Sequence, residues 1–159
     1  MKTFTDSTGK TWTLSLTIDA AKRVKGLLGV NLLDLTAGEP PLLTRLGTDV
    51  ILLCDVLYCM VKPQADTAGV TDEQFGSALG GEAILAAQTA FYEELVDFFR
   101  KAGRGEVARA VETQRRLIDL TVQRIETRIE QMDIETMLDA ALGRPSTNWP
   151  ASPESTPDP

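Results

Sequence analysis

The chain has 159 residues, a hydrophobic fraction of 43% and a formal net charge of −7, with a sequence pI near 4.6. These values predict one globular domain rather than a disordered chain, since domains commonly hold about 100–200 residues of such composition. The acidic balance argues against a nucleic-acid partner, because phosphate binding needs clustered lysine and arginine side chains.

The sequence contains no histidine, which is the side chain most used for proton transfer near neutral pH and the commonest metal ligand. Its two cysteines, Cys54 and Cys59, are five positions apart. On a helix this spacing turns the two thiols about 140° away from each other. We therefore interpret both as small buried apolar residues of a cytoplasmic protein, and predict no disulfide, no metal site and no cofactor.

The N-terminal residues do not have the pattern of a secretory signal, which is a basic region followed by an apolar core. The longest apolar run, residues 50–61, is interrupted by Asp55 and is too short for a bilayer, which takes about twenty residues. We expect no membrane association, and we predict that this run is a buried core helix.

Residues 1–18 are predicted to form a β-hairpin that packs on a helical domain. The first arm is residues 2–5 and the second is residues 10–18, in which the apolar side chains alternate with threonine and serine, as they do in a half-buried strand. Asp-Ser-Thr-Gly at residues 6–9 supplies the turn. Because a lone hairpin is marginal in water, the apolar face must be covered by helices or by another chain; this face holds Trp12, Leu14, Leu16 and Ile18.

Residues 19–143 are predicted to form a helical domain. Its first helix is capped by Thr17 or Asp19 and ends at Gly29, and a short helix follows Pro41. Thr48 is predicted to cap the apolar helix, which runs to about residue 61. Lys62-Pro63 ends that helix, because the residue before a proline is pushed out of the α region, and residues 64–70 are predicted as a loop.

The C-terminal half is predicted to hold three further helices. Residues 71–74 are a capping box that begins a short helix, and Gly103 ends a longer one over residues 82–102. The third runs from residue 105 to residue 142 and stops at Gly143-Arg144-Pro145. Residues 144–159 are rich in proline, serine and threonine and are predicted to be a disordered tail.

The last of these helices carries an imperfect coiled-coil pattern. Val111, Ile118, Ile125 and Met132 recur every seven residues, while Gln114 stands where an apolar residue is expected. This seam either closes the bundle of the chain itself, which is the interpretation that we favour, or binds a partner helix.

A search for catalytic groups finds none that the residue types and spacing support. There is no glycine-rich phosphate loop and no nucleophile elbow. Glu93 and Asp97 share one helix face but lack a histidine-bearing partner motif, and they are interpreted as solvated. Asp55 is either hydrogen-bonded at the edge of the core or a polar contact between helices with a shifted pKa. We predict that the protein is not an enzyme.

Several stretches together resemble small proteins of tailed-phage and prophage morphogenesis, namely the tail assembly chaperones. They lie in the first hundred residues and consist of apolar patterning with a few polar residues. These stretches are residues 3–6 (TFTD), 9–12 (GKTW), 18–24 (IDAAKRV), 30–35 (VNLLDL), 52–58 (LLCDVLY), 62–65 (KPQA) and 94–99 (ELVDFF).

The resemblance implies a non-enzymatic helical protein of the host cytoplasm that binds the tape measure protein and helps to recruit the tail tube protein. It implies protein partners only, with homo-oligomerisation left open, and it brings no catalytic residues. Two alternatives are a structural virion component, such as a tail-completion or connector protein, and a small helical regulatory adaptor.

Apolar residues of the hairpin, of the aromatic helix around residues 91–99 and of the heptad seam are the candidates for partner binding. For the aromatic helix, packing in the core is the favoured interpretation and a partner groove is the alternative. The candidate residues are Trp12, Tyr92, Val96, Phe99, Val111, Ile118, Ile125 and Met132.

Overall fold

The computed structural model describes residues 1–142, which form a two-stranded hairpin and six helices. The prediction of a mainly helical protein with an N-terminal hairpin is confirmed. The predicted helix stop at residues 143–145 and the predicted disordered tail lie outside the described residues. The elements are β1 (Lys2–Thr5), β2 (Thr11–Leu14), α1 (Ile18–Leu28), α2 (Leu42–Thr48), α3 (Val50–Ala68), α4 (Asp72–Ser77), α5 (Glu82–Lys101) and α6 (Gly105–Leu142).

The chain divides by its internal contacts into two compact units, Met1–Asp119 and Leu120–Pro159, and the division falls inside α6. The first unit contains the hairpin, the first five helices and the beginning of α6. The described part of the second unit is a single helical segment, residues 120–142. The domain limits expected from the sequence stay a prediction.

The turn of the hairpin is built around the buried carboxylate of Asp6. Its Oδ1 accepts hydrogen bonds from the backbone N–H and the hydroxyl of Thr8, at 2.9 and 2.6 Å, and from the backbone N–H of Lys10 at 3.1 Å. Its Oδ2 accepts the indole N–H of Trp12 at 2.7 Å. The side chain therefore shapes the turn and also positions the largest side chain of the hairpin.

The hairpin is attached to the helices on one face and along one edge. Trp12 is fully buried and contacts the ring of Phe75 in α4 edge-on, with 5.3 Å between the ring centroids. The side-chain amide of Gln64 in α3 exchanges two hydrogen bonds with the backbone of Thr13, at 3.0 and 2.7 Å, as a neighbouring strand would. Helices of the same chain therefore cover the apolar face of the hairpin.

The second arm of the hairpin is shorter than predicted. β2 ends at Leu14, and Ile18 is an exposed residue at the start of α1 rather than part of the apolar face. The backbone N–H of Leu16 donates to the buried Oε1 of Glu94 in α5 at 2.8 Å, so that the chain leaves the sheet here. Thr17 then caps α1, because its hydroxyl accepts from the backbone N–H of Ala20.

The prediction that Pro63 ends the apolar helix is wrong, because α3 continues to Ala68 with the proline inside it. A proline has no N–H to donate to the carbonyl four residues earlier, which here belongs to Cys59. The guanidinium of Arg23 in α1 donates to that carbonyl at 3.1 Å instead. Residues 64–68 are therefore helical rather than a loop, and Gly69, with φ 67°, forms the C-terminal cap.

Other helix ends lie at or next to the positions that the sequence predicts. Asp49, one residue after the predicted Thr48, caps α3 by accepting the backbone N–H of Leu52 at 3.0 Å. The capping box of α4 is present, since Thr71 and Gln74 each accept the other's backbone N–H. Gly29 has φ 72° at the end of α1, as its sequence position predicts.

The core of the first unit is formed by the apolar faces of the hairpin and of the helices around it. From α3 it contains Val56, Leu57 and Val61, and α6 adds Val107, Ala108 and Val111. The apolar helix predicted from residues 50–61 is therefore buried along most of its length but exposed at its beginning, where Val50 and Ile51 lie.

Candidate protein-binding site

The candidate site is an apolar strip on the part of α6 that belongs to the second unit, and we call it the α6 seam. Its residues are Val122, Ile125, Ile129 and Met132, at intervals of three, four and three. On a helix of 3.6 residues per turn this spacing places all four on one face, as the a and d positions of a coiled coil.

The side chains of the α6 seam are largely exposed to solvent. Ile125 is 53% exposed and Met132 is 60% exposed, and Ile129 is exposed to the same extent. Val122 is half-buried. Single large apolar side chains are common on protein surfaces, whereas a regular row of them on one helix face makes that face a candidate for protein binding.

The flanks of the α6 seam are mainly acidic. With Val122 at an a position, Glu126 and Asp133 fall at the e positions on one side, while Arg128 and Glu135 fall at the g positions on the other. Residues 120–142 contain two arginines against five aspartates and glutamates. In coiled coils, flanking charges of this kind contribute to the choice of partner.

The opposite face of residues 120–142 has an isoleucine that can be compared with those of the α6 seam. Ile134 is nine positions after Ile125, which on an α-helix is half a turn around the axis. It is 61% exposed, close to the value for Ile125. The two isoleucines therefore differ in the face that they occupy but hardly in their exposure.

The structure separates the candidate residues predicted from the sequence into two groups. Five of them are in the core of the first unit, so they are not available at the surface and we no longer assign them to partner binding. Their buried apolar surface stabilises the fold, so we interpret them as core packing residues. They are Trp12, Tyr92, Val96, Phe99 and Val111.

The remaining three candidates lie on α6. Ile118 is half-buried and packs on the core of the first unit, where its Cδ1 is 3.3 Å from the position that a Cβ on Gly47 would take. Ile125 and Met132 are exposed and belong to the α6 seam. In the first unit the heptad residues of α6 therefore pack on the core, as we expected. In the second unit no described element covers the heptad residues.

No protein-family model, curated protein or solved structure matches this chain. The resemblance to tail assembly chaperones therefore stays a prediction, and the function is argued from the surface alone.

The carboxylates that we considered for metal binding are used in ion pairs. Glu93 lies 3.2 Å from Arg115, and Asp97 lies 3.0 Å from Lys2. The hydrogen bond from Lys2 is the main cause that lowers the pKa of Asp97. In residues 1–142 there is no group of three or more cysteine, aspartate and glutamate side chains that could hold a metal ion.

The two cysteines are free, Cys59 being buried and Cys54 half-buried. Burial raises the pKa of both thiols, and the negative charges of Asp55 and Asp72 raise it further. A thiol must lose its proton to act as a nucleophile, so this environment disfavours reactivity. None of the helices that the structure describes has the length and apolar character needed to cross a bilayer.

Proposed function

We propose that the protein is a non-enzymatic assembly chaperone that binds an amphipathic helical segment of a partner along the α6 seam. The observation that carries the proposal is the row formed by Val122, Ile125, Ile129 and Met132, which has coiled-coil spacing and is exposed at all positions except the half-buried Val122.

In this proposal the partner is the tape measure protein of a tailed phage, and the tail tube protein is recruited to the resulting complex. A tape measure protein is a long helical chain with much apolar surface, which aggregates unless that surface is covered. An apolar seam with acidic flanks suits this task, because the apolar residues supply contact area and the charges keep the complex in solution.

Co-expression tests the proposal directly. A tape measure fragment that is insoluble when expressed alone should appear in the soluble fraction together with this protein, and the two should co-purify. If the fragment stays insoluble at equal expression levels of both proteins, the chaperone function is excluded.

The outer edge of β1 favours a second candidate function, that of a structural virion component. The backbone N–H and C=O of Thr13 bond to Gln64 and not to β1, so Thr13 and its partner Thr3 are a pair without hydrogen bonds between the strands. Such pairs alternate along an antiparallel ladder, so the backbone groups of Thr3 and Thr5 point away from β2. A strand of a neighbouring subunit could add to this edge. Mass spectrometry of purified virions separates the two functions, since a chaperone is absent from the finished particle and a structural protein is present.

A further inference from the structure

The first unit has a surface groove lined by apolar side chains, some of which are exposed to solvent and lie outside the core. At the beginning of α3, Ile51 is 76% exposed and Val50 is 57% exposed, whereas Leu53, Val56 and Leu57 further along the helix are buried. Gly76 of α4, Ile84 of α5 and the buried Leu79 between these helices also line the groove. We call this surface the α3 groove.

Three aspartates lie in or next to the α3 groove. Asp55 and Asp72 line it, and Asp49 caps α3 directly next to Val50. None of the three is in an ion pair within residues 1–142. Burial raises the pKa of Asp55, and the charges of Asp72 and Asp49 raise it further, so the aspartates repel one another.

We propose that the α3 groove is a second protein-binding site, which takes a segment carrying a lysine or arginine beside a large apolar side chain. The apolar side chain would cover Ile51 and the groove base at Leu79, while the cation would lie between Asp55 and Asp72. This site is separate from the α6 seam, and it does not depend on the identity of the partner that the seam binds.

Charge decides which occupant fits the groove. A second copy of the chain, docked through the same surface, would bring its own Asp49, Asp55 and Asp72 against this set, and like charges across an interface are unfavourable. Nucleic acid and anionic lipid are disfavoured for the same reason. A basic and apolar protein segment relieves the repulsion and covers the exposed side chains at once.

Titration of the full-length protein with a short helical peptide of leucine and lysine, followed by amide NMR spectra, tests the site. The titrated protein carries Ile125→Ser and Met132→Ser, so that the α6 seam does not compete for the peptide. We expect saturable shifts at residues 50–55 and 72–84. The same peptide with glutamate in place of lysine should cause none.

Two variants of the groove and one matched control decide the outcome. Ile51→Ser and Asp55→Asn should each weaken binding by about fivefold or more, since one removes buried apolar area and the other a charge partner. Leu27→Ser, which changes an exposed leucine of α1 outside the groove, should bind like the parent protein.

The proposal is overturned if both groove variants bind as tightly as the parent, or if the glutamate peptide binds as well as the lysine peptide. A dimer in sedimentation velocity that Ile51→Ser dissociates would also overturn it, because a second copy would then be the occupant. Failure of the co-expression test would affect the α6 seam alone, so the two proposals fail independently.

Discussion

Two aspartates show how the same side chain is used in opposite ways in this protein. Burial by itself raises the pKa of Asp6, but the hydrogen bonds from Thr8, Trp12 and Lys10 outweigh it and lower the pKa below its ordinary value of 3.8. The carboxylate of Asp55 has burial and neighbouring negative charge without such donors, and its pKa is raised. The first aspartate therefore stabilises the fold when it is charged, and the second destabilises it.

Asp6→Asn should destabilise the protein by about 2–3 kcal/mol at pH 7, because an amide replaces a charged acceptor and turns an N–H toward the indole N–H of Trp12. A lowered pKa in the folded state contributes stability that is present above 3.8 and lost as the pH falls through the folded value. Urea denaturation between pH 7 and pH 2 should therefore show the cost of the substitution disappearing in acid. A cost that is independent of pH would contradict the role assigned to the charge.

Asp55→Asn should have the opposite effect and stabilise the protein at pH 7. The folded pKa is raised, so the folded state holds its proton more tightly and stability falls as the pH rises from 3.8 to the folded value. The advantage of the variant should be complete above the folded pKa and absent below 3.8. Thermal denaturation over this range measures it, and a lower melting temperature for the variant at pH 7 would refute the assignment.

At the scale of elements, the sequence predicts features that depend on neighbouring residues. The turn at residues 6–9, the capping box at Thr71 and the stop at Gly29 are all local patterns, and each is present. The carbonyl that Pro63 leaves without a backbone donor is bonded by Arg23, which is forty residues earlier, so no local rule could reveal this contact.

Arg23→Ala should destabilise the protein by about 1–3 kcal/mol, because it leaves the carbonyl of Cys59 without a donor. Pro63→Ala restores a backbone N–H four residues after that carbonyl, so Arg23→Ala should cost less in that background. A double-mutant cycle in urea denaturation measures the coupling between the two positions. Lys22→Ala, at the exposed neighbouring position, is the control, and equal costs of Arg23→Ala in both backgrounds would rule out the explanation.

The candidate site shows the same limit of prediction. Periodicity identifies the apolar face of a helix, but it does not say whether other elements cover that face. Val111 and Ile125 are both on the heptad pattern of α6, yet Val111 is fully buried and Ile125 is exposed. For Tyr92 and Phe99 the sequence left a partner groove as the alternative to core packing, and the structure places both in the core, which is the interpretation that we favoured. Tertiary packing decides each of these outcomes.

In the whole molecule, two surfaces of the described chain are proposed as binding sites, and they are of different kinds. The α6 seam is a long row of apolar side chains suited to a helix, and the α3 groove is a compact patch with unpaired carboxylates. The charge of −7 is compatible with both, since each surface favours a partner with basic residues next to apolar ones.

A comparison of two faces of α6 tests whether the α6 seam binds the partner. Isothermal titration with an amphipathic segment of the tape measure protein should show that Ile125→Ser binds about tenfold more weakly than the wild type, or weaker still. The substitution removes an apolar side chain that would be buried at the interface. Ile134→Ser removes an equally exposed isoleucine from the opposite face and should bind like the wild type. Equal affinities for the two variants would contradict the assignment of the α6 seam as the partner-binding surface.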